Sequence, residues 1–100
     1  MVILRFKINA KPDKSDKVIA VLAEIIPSAR ATDGVINFDI ARTLEDPDSF
    51  IATAVYEDGA ALERQESRPE VHRAMAIFPE VLAGPPERTI FDASVDPVPV

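Results

Sequence analysis

The stretch from residue 50 to residue 71, FIATAVYEDGAALERQESRPEV, constrains the fold more than any other part of the chain. It begins with a strict alternation of side chains, the period of two that places neighbouring residues on opposite faces of a sheet. The two predicted faces are Phe50, Ala52, Ala54 and Tyr56 on one side and Ile51, Thr53, Val55 and Glu57 on the other. We therefore predict a strand, ended by Asp58 and Gly59 because glycine adopts turn conformations that other residues resist.

Two helices are predicted to follow this strand. Residues 60–66 are good helix formers and predict a short first helix. Ser67 is predicted to cap a second helix, with Glu70 three residues later completing a capping box. Pro69 fits the first turn of that helix, where the N–H group that proline lacks has no helical partner.

The rest of the chain completes a ferredoxin-like order of elements. Three further strands are predicted at residues 2–9, 35–43 and 88–95. One long helix is predicted at about residues 14–31. Pro27 is expected to kink the last turns of the long helix or, preferably, to end it early, because proline removes a helical hydrogen bond. Pro79 is expected to interrupt the last helix or end it. The order β-α-β-β-α-β predicts an α+β fold, an antiparallel four-stranded sheet with its helices on one face. Residues 1–96 form one predicted domain, followed by a loose tail at 97–100.

Composition excludes several classes of site. The 100 residues include no Cys and one His, which excludes disulfides, thiolate catalysis and a multi-histidine zinc site within one chain. The net charge of −6 argues against general nucleic-acid binding, which requires a positive surface. The sequence has neither an apolar run near the ~20 residues of a membrane span nor a signal segment, so we expect no membrane partner and a cytoplasmic location. No set of acids has the spacing of a metal site, and we predict none.

The order of these motifs resembles that of the antibiotic biosynthesis monooxygenase (ABM) family over about residues 2–95. The third strand with its aromatic-acid-Asp end, Ala60-Ala61-Leu62, and the helix opening Ser67-Arg68-Pro69 carry the resemblance, together with Lys11-Pro12-Asp13-Lys14 and Asp33-Gly34-Val35 earlier in the chain. The resemblance implies a homodimeric α+β barrel. The alternating strands favour the same assembly, because the sheet is apolar on much of both faces and such an open face usually meets a partner. We predict a homodimer through the open sheet face.

The resemblance also implies a ligand pocket between the helices and the sheet. Relatives that degrade heme or oxygenate aromatic compounds often have a Trp late in the third strand, an acid two residues before it, and a His after the Ala-Ala-Leu helix. Tyr56, Ala54 and Gln65 stand at these positions here. The implied catalytic residues are Tyr56 to orient the substrate, Gln65 to hydrogen-bond to it, and His72 to accept a proton. The implied substrate-binding residues are Phe6, Phe38, Ala54, Met75 and Phe78.

Two classes of function remain open for this sequence. The resemblance implies a monooxygenase that uses O2 without a bound cofactor on a quinol, an anthrone or a similar electron-rich aromatic compound. The alternative is a non-catalytic dimer of the same fold that binds a small molecule or serves in a stress response; heme binding or degradation has the least support. Each candidate residue also has a structural alternative: core packing for the aromatic residues, and an exposed helix position for His72 and Gln65.

Overall fold

The computed structural model describes residues 1–93 and confirms the predicted order of elements. The elements are β1 (Val2–Asn9), α1 (Ser15–Arg30), β2 (Val35–Arg42), β3 (Ser49–Tyr56), α2 (Gly59–Glu66), α3 (Pro69–Val81) and β4 (Glu87–Asp92). The predicted end of the fourth strand and the predicted tail fall in residues 94–100, outside the described part of the chain. Between residues 1 and 93, no helix is both long and apolar enough to cross a bilayer.

The four strands form one antiparallel sheet in the order β2-β3-β1-β4, the ferredoxin-like arrangement that the sequence predicts. The hydrophobic core lies between the helices and one face of this sheet. Paired residues form rows across that face. Three of these rows span all four strands. From β2 to β4 they consist of Ile40, Ala52, Phe6 and Arg88, then Phe38, Ala54, Leu4 and Ile90, then Val35, Tyr56, Val2 and Asp92.

The start of β2 differs from the predicted alternation. Ile36 is expected to share a face with Phe38, but the register shifts between Val35 and Asn37, as in a β-bulge. The extra residue turns the strand, so Val35 packs against the core while Ile36 is 53% exposed. The period of two therefore holds only from Asn37 onward.

Both internal prolines are accommodated within their helices, contrary to the prediction that they end them. Helix α1 continues past Pro27 to Arg30, and α3 continues past Pro79 to Val81. The proline φ angle is already helical, and each proline removes only the one hydrogen bond that its missing N–H would donate. The following amides still bond in helical fashion, with Ala31 N donating to Pro27 O at 3.1 Å.

The capping prediction for α3 is wrong. Ser67 is the C-cap of α2, and its hydroxyl donates to Glu63 O at 2.7 Å. The residue before α3 is Arg68, which forms no side-chain cap, and Pro69 occupies the first turn as predicted. The side-chain cap in this region is instead Asp58, which accepts a hydrogen bond from Ala61 N at 2.9 Å and fixes the start of α2.

We expect Gly34→Ala to destabilise the fold by about 2 kcal/mol, because Gly34 has a φ of +85° and a tight environment. A Cβ at this position would lie 2.6 Å from the Ala61 Cβ and 2.9 Å from a guanidinium nitrogen of Arg64. Gly84→Ala is the matched control, since apart from its two chain neighbours no residue of 1–93 has an atom within 4 Å of the added Cβ. Urea unfolding measures both variants, and equal midpoints for the two would contradict this account of Gly34.

Candidate active site

A cavity of about 130 Å³ lies between the sheet and the helices. Its floor is the complete row of Ile40, Ala52, Phe6 and Arg88 across all four strands. The remaining lining residues come from β2, the three helices and the connection to β4: Phe38, Leu22, Ile25, Gln65, Glu66, Val71, Ala74, Met75, Phe78 and Pro86. The small side chains of Ala52 and Ala74 face this space from the floor and the roof, which accounts for the void.

The size of the cavity matches one aromatic ring. Protein cores are close-packed, and an engineered apolar cavity of about 150 Å³ binds benzene. The lining is mainly apolar with a few polar groups, which is the composition typical of a ligand site.

Gln65 is the buried polar residue that lines the cavity. It is 4% exposed, and its Oε1 accepts a hydrogen bond of 2.5 Å from the Tyr56 hydroxyl. The opposite amide orientation would leave the Tyr56 hydroxyl proton without an acceptor among residues 1–93, which favours this assignment. No group in the same range accepts a hydrogen bond from the Gln65 amide nitrogen, which leaves its N–H groups as donors for a ligand.

The Tyr56 phenol is held in its neutral form. Tyr56 is 0% exposed, and burial raises its pKa well above the ordinary value of 10.0; the nearby Glu66 carboxylate raises the pKa further, and Arg88 opposes this. Tyr56 is therefore a hydrogen-bond donor at neutral pH. Its hydroxyl donates to the Gln65 Oε1, and Tyr56 does not itself line the cavity.

We expect an ultraviolet titration near 295 nm to show that the folded protein does not form tyrosinate at pH 10, where the unfolded chain does. Tyr56 is the only Tyr and there is no Trp, so the signal belongs to one group. The folded-state pKa lies above the unfolded one, so stability is unaffected by this group below pH 10 and decreases as the pH rises further. A folded protein that titrates at pH 10 would contradict the buried hydrogen bond.

The charged residues of the site lie at the rim of the cavity. Glu66 at the end of α2 and Arg88 on β4 form an ion pair, in which the Arg88 Nη2 donates to the Glu66 Oε1. Their side chains are 36% and 44% exposed, so the pair contributes little to stability. The pair places a carboxylate and a guanidinium beside an apolar, ring-sized space, where they can take part in proton transfer and anion binding.

The structure brings together five of the eight residues that the sequence predicts for the site. Gln65, Phe6, Phe38, Met75 and Phe78 line the cavity. Ala54 and Tyr56 lie in the next two rows of the sheet, are 0% exposed and do not reach the cavity. His72 is exposed on α3 and does not line the cavity, so its position does not support the predicted proton-accepting role. Met75 is 59% exposed at the cavity edge and is not a core residue.

The sequence model of the antibiotic biosynthesis monooxygenase family matches residues 1–77, more than half of the chain. The chain belongs to the antibiotic biosynthesis monooxygenase family. The family resemblance of the sequence motifs is thus confirmed.

Several solved structures share this fold. A Nitrosomonas europaea protein, provisionally named an antibiotic biosynthesis monooxygenase, superposes with a TM-score of 0.88 at 16% identity, over 95% of this chain and 100% of that one. A Deinococcus radiodurans protein with the same provisional name gives 0.89 at 19% identity, over 100% and 99% of the two chains. Rv0793 from Mycobacterium tuberculosis gives 0.88 at 22% identity, over 98% of each chain. At these identities the similarity establishes the fold.

A further relative is the uncharacterized protein sll1783 of Synechocystis, 28% identical over 90 residues. The match covers 90% of this chain but only 61% of that protein. The chain therefore spans about three fifths of the length of this relative.

Nine residues that line this cavity are not among the predicted site residues, and four of these set its volume or its charge: Ala52, Ala74, Glu66 and Arg88. The alternation in β4 could have indicated Arg88, because Arg88 lies two residues before Ile90 and therefore on the same face of the sheet. Glu66 directly follows Gln65, but its pattern is that of a solvated helix end. Between residues 1 and 93, no three His, Cys, Asp or Glu side chains cluster as metal ligands.

Proposed function

We propose that this ABM protein is a monooxygenase that uses O2, without a bound cofactor, to oxidise a single-ring quinol or a similarly electron-rich phenol. The observation that carries the proposal is the ring-sized, mainly apolar cavity with Gln65 in its wall, whose amide N–H groups have no acceptor among residues 1–93. Family membership supports the reaction class. The cavity volume favours one ring over a three-ring anthrone.

The proposed reaction needs no external reductant, because the substrate supplies the electrons. A quinol and O2 give a hydroxyquinone and water: one oxygen atom enters the ring and the other leaves as water. The deprotonated quinol transfers one electron to O2, and the resulting radical and superoxide combine at a ring carbon. Loss of water from the peroxide then forms the new carbonyl group.

The protein would bind the substrate anion and exclude water. Arg88 and the Gln65 amide would donate hydrogen bonds to the phenolate oxygen, where negative charge develops, and such donors act strongly in an apolar site. Glu66, the carboxylate that lines the cavity, would accept the phenol proton in place of the exposed His72. Tyr56 would keep the Gln65 oxygen engaged so that its amide N–H groups face the ring.

We also propose the homodimer through the open face of the sheet. Phe91, Ile3 and Val55 form a continuous row on the face away from the helices, and Phe91 is 51% exposed in the single chain. A second copy packed on this face would bury the row. Sedimentation velocity tests this assembly, and a monomer at micromolar concentration would overturn it.

The test of the function is oxygen uptake by the purified protein with hydroquinone and with anthrone. We expect enzyme-dependent uptake with hydroquinone and little with anthrone. Ala74→Leu adds three carbon atoms where the 1%-exposed Ala74 meets the cavity, and we expect it to abolish uptake while leaving the unfolding midpoint near that of the parent. His72→Ala, outside the cavity, is the control and should retain the parent rate.

A second candidate function is favoured by Ala54. The acid common in oxygenating relatives is replaced here by a buried methyl group, so the same cavity would bind a ring without turning it over. Binding of phenols with no uptake above the uncatalysed rate would establish this alternative over the oxygenase. Heme is the least compatible ligand, because it has four pyrrole rings and the cavity holds about one ring.

A further inference from the structure

The cavity is bordered by a second, open space. A groove of about 440 Å³ runs between the C-terminal half of α3 and the Gly84-Pro85-Pro86 connection. Three residues, Met75, Phe78 and Pro86, line both the groove and the cavity. Only the thickness of these side chains therefore separates the two spaces.

The chemistry of the groove differs from that of the protein surface around it. None of the described residues that line it is charged, and the set includes Leu82 and three prolines. Met75 stands at the junction, exposed despite its apolar side chain, and its unbranched thioether has several accessible rotamers. A substituent on a ring in the cavity would pass Met75 and continue into apolar surroundings.

We infer that this groove binds an apolar tail carried by the ring in the cavity, so that the ligand is an alkyl-substituted phenol or quinol. The inference depends on one part of the proposed function, the binding of a ring in the cavity. It does not depend on oxidation of that ring. The cavity accommodates about one ring, and the groove supplies room for the rest of a larger ligand. The rim pair of Glu66 and Arg88 does not line the groove, so the tail and the polar end of the ring would point to different parts of the site.

The direct test is calorimetric titration with 4-alkylphenols from methyl to hexyl, which lack the second hydroxyl of a quinol. We expect Kd to fall roughly three- to fourfold for each added methylene until the groove is filled, as burial of a methylene predicts. A Kd that does not change along the series would overturn the inference.

Gly84 offers a variant that blocks the groove alone. It lines the groove but not the cavity, and its φ is not positive. Apart from its two chain neighbours, no residue of 1–93 has an atom within 4 Å of an added Cβ. We expect Gly84→Phe to remove the dependence on tail length and to leave the Kd of 4-methylphenol unchanged. Gly59→Phe, with equally open surroundings at a residue that lines neither the groove nor the cavity, is the matched control and should retain the dependence. A full dependence in Gly84→Phe would overturn the inference.

A second variant covers the case in which Gly84→Phe does not fold. Met75→Glu changes an exposed side chain and places a charge at the junction, so the ratio of the affinity for 4-hexylphenol to that for 4-methylphenol should fall at least tenfold.

Oxygen uptake separates the groove proposal from the oxygenase proposal. Tail-dependent binding without uptake of any quinol supports the groove and refutes the oxygenase; uptake of hydroquinone with tail-independent Kd supports the oxygenase and refutes the groove.

Discussion

Glu66→Gln is expected to lower the rate of quinol-dependent oxygen uptake by about 100-fold or more, the range in which removal of a general base falls. The substitution retains the length of the side chain and removes the proton acceptor at the cavity rim. It also breaks the ion pair with Arg88, but both side chains are substantially exposed, so the unfolding midpoint should change little. The variant is therefore expected to lose oxygen uptake while its stability stays near that of the parent.

Glu63→Gln is the matched control for this prediction. It removes the same charge one turn earlier on α2, from an exposed residue that does not line the cavity. We expect the parent rate in this variant. Equal rates for Glu66→Gln and the parent across the pH range would remove Glu66 from the mechanism while leaving the reaction class open.

Tyr56→Phe and Gln65→Leu are each expected to destabilise the fold by about 1–3 kcal/mol, because each leaves a buried polar partner without its hydrogen bond. The double variant removes both polar groups, so it should be less destabilised than the sum of the single variants. Urea unfolding of the four proteins closes this double-mutant cycle. Additive effects would show that the 2.5 Å contact contributes no coupling.

The same variants test the positioning role of Tyr56. In Tyr56→Phe the Gln65 side chain loses the bond that orients its amide, so kcat should fall even well below the unfolding temperature. Gln65→Leu removes the donor itself and should lower kcat at least as much. A Tyr56→Phe variant that is destabilised but has the parent kcat would reduce Tyr56 to a packing residue.

Much of the fold was predictable because short-range patterns coincide with tertiary contacts. Alternation in β1 and β3 predicts the helix-facing rows correctly, since these central strands have one face against the core along their length. The failures occur where a distant contact outweighs a local preference. Ser67 has the pattern of an N-cap, yet the end of α2 engages its hydroxyl. The bulge at Ile36 leaves no trace in the alternation of its neighbours.

The candidate site was predictable in part for the same reason. Phe6, Phe38 and Phe78 are apolar residues at core-facing positions, and such positions also line a cavity between the same layers. Whether a polar residue faces inward depends on helix rotation and sheet register. Those contacts bury Gln65, expose His72 on α3, and bring Arg88 and Glu66 together from 22 residues apart.

The sequence by itself determined the family, the order of elements and the exclusion of thiolate chemistry, because each depends on residue types and local spacing. Only the tertiary structure decided the volume of the cavity, the bond between Tyr56 and Gln65, and the groove beside Met75. These depend on how the sheet row through Ala52 packs beneath Ala74. The separation of two packed layers is a property of all their side chains together and cannot be read from either segment alone.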